Sequence, residues 1–141
     1  MFGPKYIASH GGHPSQAELM TGRAVFTEAY AVIPRGVMRD IVASNLPHWS
    51  RTRAWIIARP LSGFAETFSQ YVMEVSGGGG SDRPEPDPGA EAALFLMEGE
   101  LSVTLGGETR RMRPGGYAWL PPGSGWSLRN DGDQPARFHW F

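Results

Sequence analysis

Apolar and polar residues alternate in short bursts along most of this chain, and glycine or proline interrupts them every few positions. A period of two between turn signals predicts β-strands rather than helices. The rhythm is clearest from Gly77 to Asn130. That stretch opens on Gly77-Gly78-Gly79-Gly80 and an acidic, proline-rich loop, residues 81–89. Residues 92–97 then read as an apolar strand, Glu98-Gly99-Glu100 as a tight connection, and residues 101–105 as a second strand. Gly106-Gly107 is a hairpin turn, and residues 108–113 (ETRRMR) are a charged, exposed edge. Residues 116–120 form another strand, which the rigid Pro121-Pro122-Gly123 turn ends.

Upstream, residues 23–32 carry β-branched and aromatic side chains and read as one strand. Pro34-Arg35-Gly36 is a turn, and residues 37–44 are a short strand. Residues 45–50 form a loop holding His48 and Trp49, and residues 52–58 form a clear strand. Residues 64–75 alternate along both faces and read as a strand, although Ala, Glu, Gln and Met there also suit a helix. The glycine block then gives a flexible approach to the next barrel strand. Downstream, residues 125–129 and 136–141 are strands, with a turn at Asn130-Asp131-Gly132-Asp133. The last strand ends on aromatic residues, which suggests an exposed strand and a chain cut from something longer. About ten short strands without a convincing helix predict an all-β sandwich or barrel.

Composition narrows the picture. At 141 residues the chain suits one domain, since domains commonly run to ~100–150 residues. We divide it into an N-terminal arm, residues 1–21, and a β domain, residues 22–141. The net charge of −1 offers no field for nucleic acid or an acidic membrane. No stretch approaches the ~20 apolar residues of a membrane span, and residues 1–12 lack the layout of a secretory signal. A cytoplasmic protein is the expectation. The absence of cysteine excludes disulfides, thiolate metal sites and a cysteine nucleophile.

Candidate chemistry is sparse. His10 and His13 stand close together on the arm, but two ligands make an incomplete metal site. Asp82, Glu85, Asp87 and Glu91 could hold a hard cation through oxygen; the prolines at 84, 86 and 88 space them apart, which favours a solvated acidic loop. Arg83 beside Glu85 suits either a substrate clamp or a surface ion pair. His48 and His139 lack near partners of ligand type and read as packing or interface residues. No serine sits in a nucleophile elbow. The glycine block is no phosphate loop, because neither Lys-Ser/Thr nor a helix follows it.

The spacing Gly115-x5-Pro121-x-Gly123-x2-Trp126-x3-Asn130 resembles the second motif of the cupin superfamily of small jelly-roll barrels. Every position fits except the motif's histidine, which is Trp126. The first motif ends on a glycine matched by Gly99. Its glutamate position then falls on Ala92, and its histidine positions on Pro86 and Pro88 or on Glu85 and Asp87.

A closer resemblance runs from Leu19 to Phe141. Leu19-Met20-Thr21-Gly22-Arg23-Ala24, Ile33-Pro34-Arg35-Gly36-Val37, Pro60-Leu61-Ser62-Gly63-Phe64, Gly115-Gly116-Tyr117-Ala118 and Pro121-Pro122-Gly123 with Arg129-Asn130 are similar to the N-terminal cupin of the (S)-ureidoglycine aminohydrolases. The resemblance implies two-cupin, manganese-dependent enzymes that release ammonia from ureidoglycine to give ureidoglycolate. It places the manganese in a C-terminal cupin that this chain lacks. It therefore implies no catalytic residue and no metal in this half, which would be mainly structural. A ligand pocket here would draw on Trp126, Ala92, Leu94, Arg83 and Glu85. Trp126 would fill the space a metal site occupies or stack on a flat ligand such as a ureide. The resemblance also implies a homo-oligomer joined through cupin strands. The alternative is a free-standing, metal-free cupin that binds a small molecule or serves in assembly.

Overall fold

The structure, a computed structural model, describes residues 25–26, 30–32, 42–58 and 67–141. Among them are eleven strands and no helix, as the all-β jelly-roll expectation requires. The strands are β1 (Val25–Phe26), β2 (Ala31–Val32), β3 (Val42–Ala43), β4 (Trp49–Ala58), β5 (Gln70–Ser81), β6 (Ala92–Glu98), β7 (Leu101–Leu105), β8 (Glu108–Met112), β9 (Tyr117–Leu120), β10 (Ser127–Arg129) and β11 (Ala136–Trp140). No described helix is long and apolar enough to cross a membrane.

Strand β5 organises the barrel. Along one edge it pairs with β4, from Gln70 opposite Ala58 to Ser81 opposite Trp49. Its other edge is shared between two neighbours: residues 71–75 pair with β11, and Gly80 and Ser81 pair with β10. Two antiparallel wings therefore leave β5, one running β11-β6-β9 and the other β10-β7-β8. Met73 of β5, Leu94, Leu96, Leu120 and Phe138 from the first wing and Leu101, Val103, Met112 and Leu128 from the second meet in one buried core. The alternation explains which side chains enter it. In β6, Ala92, Leu94 and Leu96 point in while Phe95 is exposed.

The glycine block lies inside β5, not before a barrel strand as expected. A Cβ on Gly77 would stand 2.5 Å from the Gly132 carbonyl oxygen, one on Gly79 2.7 Å from that of Ser50, and one on Gly80 2.2 Å from that of Leu128. At these three positions glycine is needed because neighbouring backbone lies too close for a Cβ.

The β7–β8 hairpin follows its sequence closely. Gly106 and Gly107 have φ of +59° and +80°, the positive pair that a type I′ turn requires. Elsewhere the structure differs from expectation. Residues 23–32 do not form one strand: β1 and β2 pair with each other, Val25 opposite Val32 and Phe26 opposite Ala31. The strand expected from residue 64 begins at Gln70, and the loop at residues 45–50 ends early because Trp49 opens β4. Strand β11, expected to be exposed, is flanked by β5 and β6, and Ala136 and Phe138 are fully buried. The arm at residues 1–21, the turn at Pro34-Arg35-Gly36, residues 37–41 of the expected strand at 37–44 and residues 64–66 lie outside the described residues.

On the outward face, Glu74 of β5 stands between its cross-strand partners Arg53 of β4 and Arg137 of β11. It accepts hydrogen bonds from Arg53 Nε at 3.1 Å and Nη2 and from Arg137 Nε at 2.9 Å, and Arg137 Nη2 forms an ion pair with it at 2.8 Å. Both guanidinium groups also lie over the Trp55 ring, 5.6 and 5.8 Å from its centroid. Burial pushes the Glu74 carboxyl up, but the hydrogen bonds and charges of the two arginines outweigh it and hold the group below its ordinary 4.5. The folded value thus lies below the unfolded one. The stabilisation is complete above the unfolded value and is lost as pH falls through the folded value. Glu74→Gln is expected to lose about 1–3 kcal/mol at pH 7. Its unfolding free energy should also fall less than the parent's between about pH 5 and pH 3, which denaturant titrations across that range would show.

Candidate functional site

The corner between β9 and β10 is built from its turn residues. Gly115 donates its N–H to the Leu96 carbonyl at 2.8 Å, and Leu96 donates to that of Gly116 at 2.9 Å. These two bonds pin the start of β9 to β6, and Gly115 takes a φ of +84° to make them. After β9, Pro121 fixes the corner, where the Ser124 N–H bonds to the Pro121 carbonyl at 3.2 Å. Gly123 and Gly125 turn the chain through φ of +69° and +60°. The next residue, Trp126, enters the barrel and is 5% exposed.

Trp126 joins an aromatic cluster. It meets Trp140 edge-on, with ring centroids 6.0 Å apart. Trp140 contacts Trp49 at 5.5 Å and Tyr71 at 5.3 Å, and Trp49 stacks on Phe138 at 6.5 Å. The sequence did not gather Trp49, Tyr71 and Trp140 at a site, because β4, β5 and β11 bring them together from distant segments. The available signal was periodic: Tyr71 lies two residues from Met73, and Trp140 two from Phe138, each pair on one strand face.

Ala92 opens β6 opposite Leu120, and Leu94 follows it into the core; both are buried. At the positions where the cupin motifs carry a glutamate and a histidine, Ala92 and Trp126 supply no ligating atom. Among the described residues no three His, Asp or Glu side chains are grouped to hold a metal ion. The residues present do not fit a metal at this corner.

The acidic loop spends its carboxylates separately. Asp82 pairs with Arg129 at 2.8 Å, and Glu85 accepts the Asp87 N–H at 2.9 Å. Asp87 accepts the Gly89 N–H at 2.8 Å, and Glu91 accepts the Trp119 Nε1–H at 3.0 Å. Arg83 directs Nη2 to the Pro86 carbonyl at 3.4 Å. Between this loop and the barrel mouth lies a cleft of about 1090 Å³. Trp49, Phe68, Tyr71, Trp119, Trp140 and Phe141 border it, with Glu85, Asp87 and Glu91 on one side. Of the five pocket residues expected from sequence, Ala92 and Glu85 border the cleft. Trp126 and Leu94 lie in the core behind it, and Arg83 lies outside it. His48 also borders the cleft, whereas His139 lies on the outer sheet face.

Residues 71–141 match the family described as Cupin domain, half of the chain. Among curated proteins, the (S)-ureidoglycine aminohydrolase of Escherichia coli K12 is 27% identical over 109 residues, which cover 76% of this chain and 40% of that protein. A solved structure from Pseudomonas aeruginosa, named as a glyoxylate-induced protein, is 62% identical with a TM-score of 0.75, over 92% of this chain and 46% of that one. The E. coli protein Ylba is 22% identical with a TM-score of 0.73, covering 89% of this chain and 50% of its own; at that identity it speaks for the fold alone. The chain spans about half the length of these relatives or somewhat less.

Proposed function

The chain belongs to the cupin family, and from that premise we propose that it serves as the structural N-terminal cupin of a protein like the (S)-ureidoglycine aminohydrolases. In this reading residues 1–21 form an arm and residues 22–141 the cupin, in a cytoplasmic protein. The unit supplies packing surface and oligomer contacts. A second cupin holds manganese and releases ammonia from ureidoglycine. The observation that carries the reading is the filled corner: Ala92 and Trp126 are 3% and 5% exposed and occupy the two motif positions with side chains that ligate nothing. The motif resemblance and the curated E. coli relative support the choice of family. Net charge of −1 gives neither nucleic acid nor an anionic membrane a reason to bind.

Metal analysis tests the reading. The purified 141-residue chain, dialysed after exposure to manganese, is expected to retain far less than one ion per chain. About one tightly held ion per chain would contradict it.

The cleft favours a second reading. Its aromatic walls suit a small flat molecule such as a ureide, and the chain would then be a metal-free binding cupin.

A further inference from the structure

The cleft at the barrel mouth has a one-sided chemistry. Aromatic rings wall it: Trp49 of β4, Tyr71 of β5, Trp119 of β9, Trp140 of β11 and Phe141 beyond it. Trp140 meets Trp49 and Tyr71 at interplanar angles of 42° and 43°, so these rings are inclined to one another rather than stacked flat. Ala54, Met73 and Ala92 also line the cleft and are buried. On the loop side, Glu85, Asp87 and Glu91 supply three formal negative charges. Their hydrogen bonds come from uncharged N–H groups: the Asp87 and Gly89 backbone and the Trp119 indole. Each of these bonds engages one oxygen of its carboxylate. Among the described residues no Lys or Arg borders the cleft, and none forms an ion pair with these three carboxylates. Glu74 and Asp82, by contrast, are each met by arginine.

We propose, resting on the second reading above that the cleft binds a small molecule, that its occupant is an organic ammonium cation. Charge complementarity carries this. Ring faces hold partial negative charge and attract a cation within ~6 Å of the centroid. Ionised carboxylates accept hydrogen bonds and donate none, so they favour a positive ligand. An anion would meet three like charges and no Lys or Arg. A neutral ureide would bring its carbonyl oxygen to a wall with no charged donor. A metal ion is a poor match as well, because the carboxylates are not grouped to hold one. An alkylated ammonium needs no such grouping: its methyl groups pack on the rings and its charge lies in the field of the spaced carboxylates. The prolines at 84, 86 and 88 fix their own φ, which lowers the cost of ordering that loop around a ligand. A volume of about 1090 Å³ leaves room for a substituent beyond the ammonium head.

Choline and 3,3-dimethylbutan-1-ol test the charge directly, because they share a shape and differ in having N⁺ or carbon at the centre. The readout is the Trp119 Nε1–H resonance in ¹H–¹⁵N spectra of the 141-residue chain, since that group borders the cleft and is bonded to Glu91. Choline is expected to shift it saturably and to bind at least about tenfold more tightly than the alcohol. Raising NaCl from about 50 to about 500 mM should weaken choline and leave the alcohol unchanged. The double variant Glu85→Gln, Asp87→Asn should lower choline affinity about fivefold or more. Glu108→Gln, on β8 of the other wing, should not change it. The comparison of choline with the alcohol needs no variant to fold. No shift with choline up to about 50 mM overturns the proposal, and so does equal binding of the two probes. Calcium that binds and displaces choline overturns it in favour of an inorganic cation. Hydantoin, a flat neutral ureide, separates the readings: if it binds and choline does not, the cleft remains a binding site and the cation is wrong. Ammonia release by the chain would remove the structural reading and leave the choline result standing.

Discussion

Gly80→Ala is expected to destabilise the chain by about 3 kcal/mol or more, because two effects add at one position. Gly80 has a φ of +145°, a conformation that residues with a Cβ rarely adopt, and forcing one there costs about 1–3 kcal/mol. The new methyl would also lie 2.2 Å from the Leu128 carbonyl oxygen and 3.0 Å from the Arg129 Cα. That oxygen belongs to β10, whose Arg129 pairs directly with Gly80. Relief therefore means pulling β10 off β5 and opening the join between the two wings. Gly106→Ala is the internal control. Gly106 also has positive φ, at +59°, but an added Cβ there meets nothing within 4 Å. Its cost should stay near 1 kcal/mol. Urea midpoints of the two variants should separate clearly. Equal midpoints would show that the close approach at Gly80 is absent in solution.

Asn130→Ala is expected to cost about 2–4 kcal/mol through lost hydrogen bonds to buried partners. Asn130 is 2% exposed. Its Nδ2 donates to the Val75 carbonyl at 2.9 Å and the Gln134 carbonyl at 2.8 Å, and its Oδ1 accepts the Gly132 N–H at 3.0 Å. Its main chain bonds to Gly78 and Gly79. The side chain thus ties the turn before β11 to the bend of β5. Asn130→Asp separates bonding from volume, because Asp has nearly the same size but turns an oxygen toward two carbonyls. At pH 7 it should be at least as destabilising as alanine. If Asp were tolerated, Asn130 would be a space-filler and the turn would be held by its backbone alone.

What could be read from sequence follows the reach of each constraint. The β7–β8 hairpin was legible because Gly106 and Gly107 settle it locally. The corner at residues 115–126 was legible because its glycines and prolines sit within one turn of each other, and the spacing placed Trp126 beyond them. The meaning of Gly77–Gly80 was not legible. The groups that exclude a side chain there belong to Ser50, Leu128 and Gly132, far along the chain. The Glu74 cluster was hidden for the same reason, since Arg53 and Arg137 lie 21 and 63 residues away. Of the expected pocket, Ala92 and Glu85 reached the cleft because loop and strand start are adjacent. Trp49, Tyr71 and Trp140 were missed, because their meeting depends on how β4, β5 and β11 pair.

The central claim is that this unit keeps the cupin architecture and leaves the chemistry to another unit. Ammonia release tests it most directly, with the purified 141-residue chain, manganese and (S)-ureidoglycine. The account predicts release no faster than in the same solution without protein. Turnover at enzyme-like rates that disappears in Trp126→Ala would contradict it, and would place the site at the corner where Trp126 enters the barrel.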